Sequence, residues 1–153
     1  MVKNKSYKPV TFLSRYIDRF YTYERSSNDY FQVPAVLPGT GLELIFHTDR
    51  PLSIQTKKLP QAHTVCPRKM FRFDDAKKIS FISVRFKSGA FRHFSPIPFS
   101  ALNDCYYSVP DLWGQNGKKV LDKLENIMET EGKIKEIELF LGDIFSDFHN
   151  GEK

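Results

Sequence analysis

Residues 79–87, ISFISVRFK, form the stretch that most clearly decides the fold class. Two interleaved sets of side chains alternate along it: one begins with Ile79 and Phe81, and the other contains Ile82, Val84 and Phe86. A period of two is typical of a β-strand. Because a strand that is apolar on both faces is usually buried on both, we expect Ile79–Lys87 to lie at the centre of a sheet.

Five earlier runs are short and rich in aromatic or β-branched residues: 30–37, 42–48, 52–56, 62–66 and 70–73. Turn residues separate several of them, at Pro38-Gly39, Asp49-Arg50-Pro51 and Asp74-Asp75. Many short strands at this spacing predict an antiparallel barrel or sandwich. The segment 10–24 fits a short helical turn that runs into the first strand. A second short helix is expected near Phe91–Phe94, before Pro96 and Pro98.

Two amphipathic helices are predicted after residue 115, from Lys118 to Glu129 and from Lys133 to Phe148. Apolar residues recur in both at steps of three and four, and Gly117 and Gly132 punctuate the segment. The short link predicts an antiparallel pair. Either both stripes simply pack on the body, or the second also carries a dimer contact. The candidate contact residues are Ile137, Leu141, Ile144, Phe145 and Phe148.

The composition is that of one globular domain: 153 residues, of which 41% are hydrophobic and 27% charged. No secretion signal or membrane span is visible, and the two cysteines lie far apart, so we expect a soluble, cytoplasmic chain with reduced thiols. The net charge of +5 is divided into +8 for residues 1–117 and −3 for residues 118–153. The basic residues are scattered over likely turns, which argues against direct DNA binding by this chain.

Enzyme motifs are missing from the sequence. The four histidines form no His-x-His or His-x-x-x-His pair, and no Gly-x-Ser-x-Gly is present. The sequence Gly39-Thr40-Gly41 lacks the further residues of a phosphate-binding loop. We therefore expect no catalysis, no metal and no cofactor. Non-adjacent ligands such as Glu43, His47 and His63 could still form a metal site if they converged in space.

One polar pattern favours ligand binding. Glu43, Ile45 and His47 share a face of the predicted strand 42–48, and Arg85 lies on the predicted central strand. If Glu43 and Arg85 point inward, they could hold the polar end of a ligand in an apolar cavity. The alternative is that they face solvent or form a structural ion pair. The candidate ligand-binding residues are Glu43, Phe46, His47, Val84, Arg85 and Phe86.

An ordered set of segments resembles the N-terminal domain of AraC-type transcription regulators. It consists of Pro9, Phe12-Leu13, Tyr16-Ile17 and Phe20, then Val36-Leu37-Pro38-Gly39, Leu42-Glu43-Leu44-Ile45-Phe46, Val65-Cys66-Pro67, residues 82–90 and Asp111-Leu112-Trp113-Gly114. The chain departs from the pattern at three turn positions. Gly39 stands where the family often has Asp, Cys66 replaces Gly, and Ser88 replaces Pro.

The resemblance implies an α+β chain. A cupin-like antiparallel β-barrel or jelly roll would occupy residues 1–115, and a C-terminal antiparallel helix pair in residues 116–153 would support dimerisation. The implied function is effector sensing and homodimerisation, with a small apolar effector. DNA would be read by a helix-turn-helix domain that this chain does not contain. The alternatives are a stand-alone cupin-like small-molecule-binding protein and, third, a small metal-dependent barrel enzyme.

Overall fold

The computed structural model describes residues 2–25, 35–36, 42–66, 71–74, 76, 78–103 and 105–150. Its strands are β1 Val2–Tyr7, β2 Ile17–Arg25, β3 Ala35–Val36, β4 Glu43–His47, β5 Ser53–Ile54, β6 Lys57–Lys58, β7 Ala62–Val65, β8 Phe71–Arg72 and β9 Ile79–Phe86. Its helices are α1 Phe99–Leu102, α2 Val109–Glu125 and α3 Thr130–Asn150, with short 3₁₀ helices at Leu13–Arg15 and Ala90–His93. The predicted turn at Pro38-Gly39 and most of the predicted strand 30–37 lie outside the described residues.

A five-stranded antiparallel sheet in the order β1-β2-β9-β4-β7 organises the chain. Strand β9 is central, as its two apolar faces predict, and only Arg85 in it is exposed. The pairs β3–β8 and β5–β6 form two small additional sheets. The α+β class and the antiparallel pairing are therefore confirmed.

The predicted closed barrel is not observed, because β1 and β7 remain the edges of the described five-stranded sheet. Strand β1 was not predicted, since VKNKSY has almost no apolar residues to alternate. It pairs with β2 along its whole length, and Lys3 and Lys5 are exposed on it. Lysines on an edge strand discourage further pairing. The sheet buries its faces under other elements instead of closing on itself.

Each face of the sheet carries its own apolar core. On one face Phe20, Leu44, Phe46, Ile82, Val84 and Phe86 pack against α2 and α3. On the other face Ile45, Val65, Ile79 and Phe81 pack against Leu52, Leu59 and Phe73. We call the first the helix-side face and the second the loop-side face. Because side chains alternate along a strand, neighbours in sequence on β4 and β9 belong to opposite cores.

Helix α2 begins nine residues before the predicted Lys118. Ser108 accepts a hydrogen bond from the Asp111 amide and the Asp111 carboxylate accepts one from the Ser108 amide, which forms a capping box. The chain then bends at Gly114, whose φ of 57° favours glycine. Gly117, predicted to precede the helix, lies inside it. A Cβ there would be 2.6 Å from the Val109 carbonyl oxygen, so the close approach requires glycine.

The apolar face of α3 packs on its own chain. Ile137, Leu141 and Ile144 are buried in the helix-side core, and the partly buried Phe145 packs against Phe12 in an edge contact. The partly buried Phe148 contacts His149. The dimer contact remains a prediction. No helix among those described is both long and apolar enough to cross a bilayer.

Candidate functional site

Two buried histidines meet on the loop-side face. His47 ends β4 and His63 lies on β7, next to the residue that pairs with Phe46. Their Nε2 atoms are 2.9 Å apart, and their residues are 4% and 0% exposed. Phe81 and Phe73 pack around His47, and Tyr106 packs edge-on against His63. The pair is therefore enclosed by aromatic rings.

The hydrogen bonds determine which nitrogens of the pair carry protons. The Thr64 carbonyl oxygen lies 3.1 Å from His63 Nδ1, and a carbonyl can only accept, so Nδ1 of His63 is the donor. In a neutral ring Nε2 of His63 must then accept, and Nε2 of His47 donates to it. Nδ1 of His47 is left as a bare acceptor, buried and without a hydrogen-bond partner among the described residues.

Both imidazoles are held neutral. Burial, followed by the neighbouring His63, lowers the pKa of His47 to about 3. Burial lowers the pKa of His63 to about 4, although the hydrogen bond to the Thr64 carbonyl opposes this shift. Removing a charged group from water disfavours its charged form, and a second cation would disfavour it further. The pair therefore acts as a neutral hydrogen-bonded unit at physiological pH.

Glu43, at the other end of β4, joins a separate polar cluster. Tyr21 donates to Glu43 Oε1 at 2.5 Å, and Ser83 donates to the same oxygen at 3.3 Å. Burial, the charge of Glu43 and this hydrogen bond raise the pKa of Tyr21 well above its usual value. Arg85 is directly opposite Glu43 across the β4–β9 ladder but is exposed. Glu43 is thus satisfied by hydroxyl donors rather than by the predicted arginine.

A cleft of about 420 Å³ lies between the end of β4 and the α2–α3 connection. Phe46, Ile82, Leu121 and Leu124 form its apolar floor. Its polar lining comprises His47, Thr48, Asp49, Arg50, Gln61, Glu125 and Lys133. Lys133 Nζ donates to the Leu124 carbonyl at 3.0 Å, so a polar wall of the cleft also caps the end of α2.

The six predicted ligand-binding residues are divided between the two faces of the sheet. Glu43, His47 and Arg85 belong to the loop-side face, whereas Phe46, Val84 and Phe86 belong to the helix-side face. Only Phe46 and His47 line the cleft. Tyr21 and the helix residues of the cleft were not among the predicted site residues, and the approach of His63 to His47 was considered only as part of a metal site. That approach depends on the β4–β7 register, and a further predicted strand, 52–56, separates these two strands in the sequence.

The two histidines meet without a carboxylate. Glu43 is four residues from His47 along β4, which is ~13 Å at the rise of an extended strand. Within the described segments, no group of three or more His, Cys, Asp or Glu side chains could hold a metal ion. The chemistry this site offers to a ligand is hydrogen bonding through the polar rim of the cleft, because the Nδ1 acceptor of His47 is itself buried.

The fold and the site define an α+β protein in which a five-stranded antiparallel sheet meets a helix pair along a mixed apolar and polar cleft. The chain belongs to the family DUF6597, a domain of unknown function, whose model matches residues 5–108. That match runs from β1 to the residue that caps α2, so α2 and α3 lie beyond it. No curated protein and no solved structure matches the chain.

Proposed function

We propose that this chain is the effector-sensing and dimerisation domain of an AraC-type transcription regulator, and that a separate helix-turn-helix domain reads DNA. The ordered resemblance of its segments to that family supports the proposal. The structural observation that carries it is the cleft, because the sheet and the helix pair each form part of its lining.

An effector in the cleft would contact both parts of the molecule at once. Phe46 and Ile82 come from β4 and β9, while Leu121 and Leu124 come from α2. A ligand that touches two packed elements binds best to one arrangement of them, and this difference in affinity is what shifts a conformational equilibrium. Effector binding would therefore change how α2 and α3 sit on the sheet.

The lining indicates a small effector that is mainly apolar with one polar end. The four apolar floor residues would bury its hydrocarbon part, and Arg50 and Lys133 offer cations at the rim. Asp49 and Glu125 offer carboxylates there as well, so the polar end can combine donor and acceptor groups. The cleft volume lies within the ~300–1,000 Å³ that is usual for small-molecule sites.

The helices offer a route from the cleft to a dimer contact. Lys123 and Glu136 form an ion pair of 3.5 Å between α2 and α3, and Lys133 caps α2, so the two helices are linked and respond together. The exposed apolar side chain on α3 is Leu139, which is 58% exposed. A coupling of ~1–3 kcal/mol between effector and dimer is typical of such sensors.

The role proposed is not catalytic. A catalytic imidazole usually needs access to a substrate and a carboxylate or carbonyl that orients it. His63 has such an orienting carbonyl, but it is fully buried and its acceptor nitrogen is occupied by His47. The arrangement supports a structural role for the pair.

A thermal-shift screen tests effector binding. Apolar amino acids and aromatic carboxylates would be compared on the wild type, on Leu121→Trp, which fills the cleft, and on Val10→Trp, which adds the same ring at an exposed residue outside the cleft. We expect a ligand that raises the melting temperature of the wild type and of Val10→Trp but not of Leu121→Trp. A ligand that stabilises all three equally would place the site elsewhere and remove the cleft from the proposal.

Dimerisation requires its own test. Leu141 is one of the predicted contact residues but is fully buried, so Leu141→Asp would damage the core. Leu139→Asp changes an exposed residue instead. We expect light scattering to show a dimer for the wild type and a monomer for Leu139→Asp. Fused to a DNA-binding domain that represses only as a dimer, the wild type should repress a reporter. A chain that binds an effector but is monomeric throughout would indicate the alternative, a stand-alone cupin-like binding protein.

A further inference from the structure

A second cavity of about 400 Å³ lies where β9 turns into the Ala90–His93 helix. Its walls are mainly apolar and include Phe91, Ile97, Phe99 and Leu102. Two cations, Lys87 and Arg92, stand at its edge, and none of the lining residues that the structure describes is acidic. We call it the basic-edged groove. It shares no lining residue with the cleft between the sheet and the helix pair.

We propose that the basic-edged groove binds a single-chain amphiphile with a carboxylate head group, of the class of medium-chain fatty acids. The apolar walls would hold the alkyl chain, and the two cations would hold the carboxylate. This proposal does not rest on the regulatory role, since the groove and the cleft are separate.

The two cations are available for a ligand. Neither Lys87 nor Arg92 takes part in an ion pair in the described part of the chain, and both are exposed. An arginine guanidinium can hold a carboxylate with two parallel hydrogen bonds, and a lysine adds a point charge. A cationic or neutral amphiphile would bury the same hydrocarbon without this electrostatic gain.

The turn that presents the cations is well ordered. The Lys87 amide donates to the Tyr16 carbonyl, and the Ala90 amide donates to the Lys87 carbonyl, each at close to the usual hydrogen-bond length. Gly89, which lies between Lys87 and Ala90 in the sequence, has a φ of 72°, a value that favours glycine. The backbone that carries the two cations is therefore formed before any ligand arrives, so only their side chains must be ordered on binding.

The apolar walls are likewise preformed. Leu102 and Phe91 are 1% and 4% exposed and belong to the helix-side core, so they form a fixed floor. Phe99, on the short helix α1, is 44% exposed and is an uncovered apolar ring beside that floor. An alkyl chain lying against Phe99 would remove this ring from water, and each buried methylene would tighten binding by roughly two- to fourfold.

The fluorescence of Trp113 provides the assay. It is the sole tryptophan, and its ring centroid lies 6.0 Å from that of Phe91. We expect sodium laurate, titrated below the concentration at which it forms micelles, to change the emission with saturation at one ligand per chain. Decanoate should bind roughly four- to sixteenfold more weakly, because it has two methylenes fewer. Dodecanol should bind about tenfold more weakly than laurate, because it lacks the charge.

Matched variants test the role of the cations. In Lys87→Gln/Arg92→Gln, laurate should bind about tenfold more weakly, as dodecanol does, while dodecanol binding stays unchanged. The control Lys57→Gln/Lys58→Gln removes the same charge from the exposed strand β6 and should leave laurate binding unchanged. In Phe99→Glu, an added carboxylate in the groove should abolish laurate binding.

Three results would overturn the proposal. One is an equal loss of laurate affinity in Lys87→Gln/Arg92→Gln and in the control Lys57→Gln/Lys58→Gln. The loss would then be an effect of net charge. Another is equal affinity for dodecanol and laurate. The third is an unchanged Trp113 emission up to the micellar concentration.

Discussion

Acidification from about pH 8 to about pH 5 should destabilise the folded chain through the His47–His63 pair. Burial and the neighbouring ring lower the pKa of His47 to about 3. Burial lowers the pKa of His63 to about 4. In the unfolded chain both imidazoles titrate near the ordinary value of ~6.5. Below that pH the unfolded chain binds two protons that the folded chain does not, so acid favours unfolding.

The magnitude follows from the difference in proton binding. A pH of 5 is about 1.5 units below the histidine pKa of the unfolded chain. At ~1.36 kcal/mol per unit, the free energy of unfolding falls by about 2 kcal/mol for each ring. Both folded pKa values lie below pH 5, so the unfolded value sets the result. The pair should therefore remove about 4 kcal/mol, against a total free energy of unfolding of ~5–15 kcal/mol for a domain.

Urea denaturation followed by Trp113 fluorescence measures this loss directly. The free energy of unfolding would be determined at half-unit steps between about pH 8 and about pH 5, a window in which histidine is the side chain that ordinarily titrates. The non-titrating variant His47→Gln/His63→Gln should be less stable at pH 8 but should lose about 4 kcal/mol less than the wild type on acidification. Val65→Ala, which weakens the same core without removing an imidazole, should retain the wild-type loss.

A wild type whose free energy of unfolding changes by less than about 1 kcal/mol across this window would refute the reasoning. The reasoning would also be refuted if acidification lowered the free energy of unfolding of the double variant and of the wild type by equal amounts. If the double variant does not fold, either single replacement should still reduce the loss by about half, and two unchanged slopes would contradict the assignment.

Two further predictions concern stability at neutral pH. Tyr21→Phe removes the 2.5 Å hydrogen bond to Glu43 and should cost about 1–3 kcal/mol in urea denaturation, whereas Tyr23→Phe should cost less than ~0.5 kcal/mol; equal costs would contradict a special role for the Tyr21 hydroxyl. Gly117→Ala places a methyl group 2.6 Å from a backbone oxygen and should cost about 1–3 kcal/mol, whereas Gly142→Ala meets no atom and should stabilise α3 by ~0.5–1 kcal/mol; a tolerated Gly117→Ala would refute the close approach.

Periodicity was sufficient to predict the main elements. The two apolar faces of Ile79–Lys87 predicted the central strand β9, and the three- and four-residue steps predicted the helix pair. Periodicity failed where the chain lacks an apolar pattern. Strand β1 is polar because it lies at an edge and its pairing with β2 is made by the backbone. Gly117 was interpreted as a boundary, although glycine is there for a tertiary contact.

The site was only partly predictable because it depends on register. Alternation correctly grouped Glu43 with His47, and it also separates Phe46 from them, yet the candidate set combined residues of both faces. The approach of His63 to His47 depends on which residues of β4 and β7 face each other. A turn fixes the register of a simple hairpin, but β5 and β6 lie between β4 and β7, so no single turn determines theirs. The cleft also needs the position of α2 on the sheet, which a single sequence does not reveal.

We propose that occupancy of the cleft and the packing of α2 and α3 are thermodynamically linked. Linkage is reciprocal, and a homodimer holds two effectors. If dimerisation changes the affinity of each effector site by some factor, saturating effector must therefore change the dimer dissociation constant by the square of that factor. The most direct test is to measure the affinity of the effector found by thermal shift at chain concentrations well below and well above the dimer dissociation constant. We predict a difference of ~5–150-fold. Equal affinity at both concentrations would contradict the account.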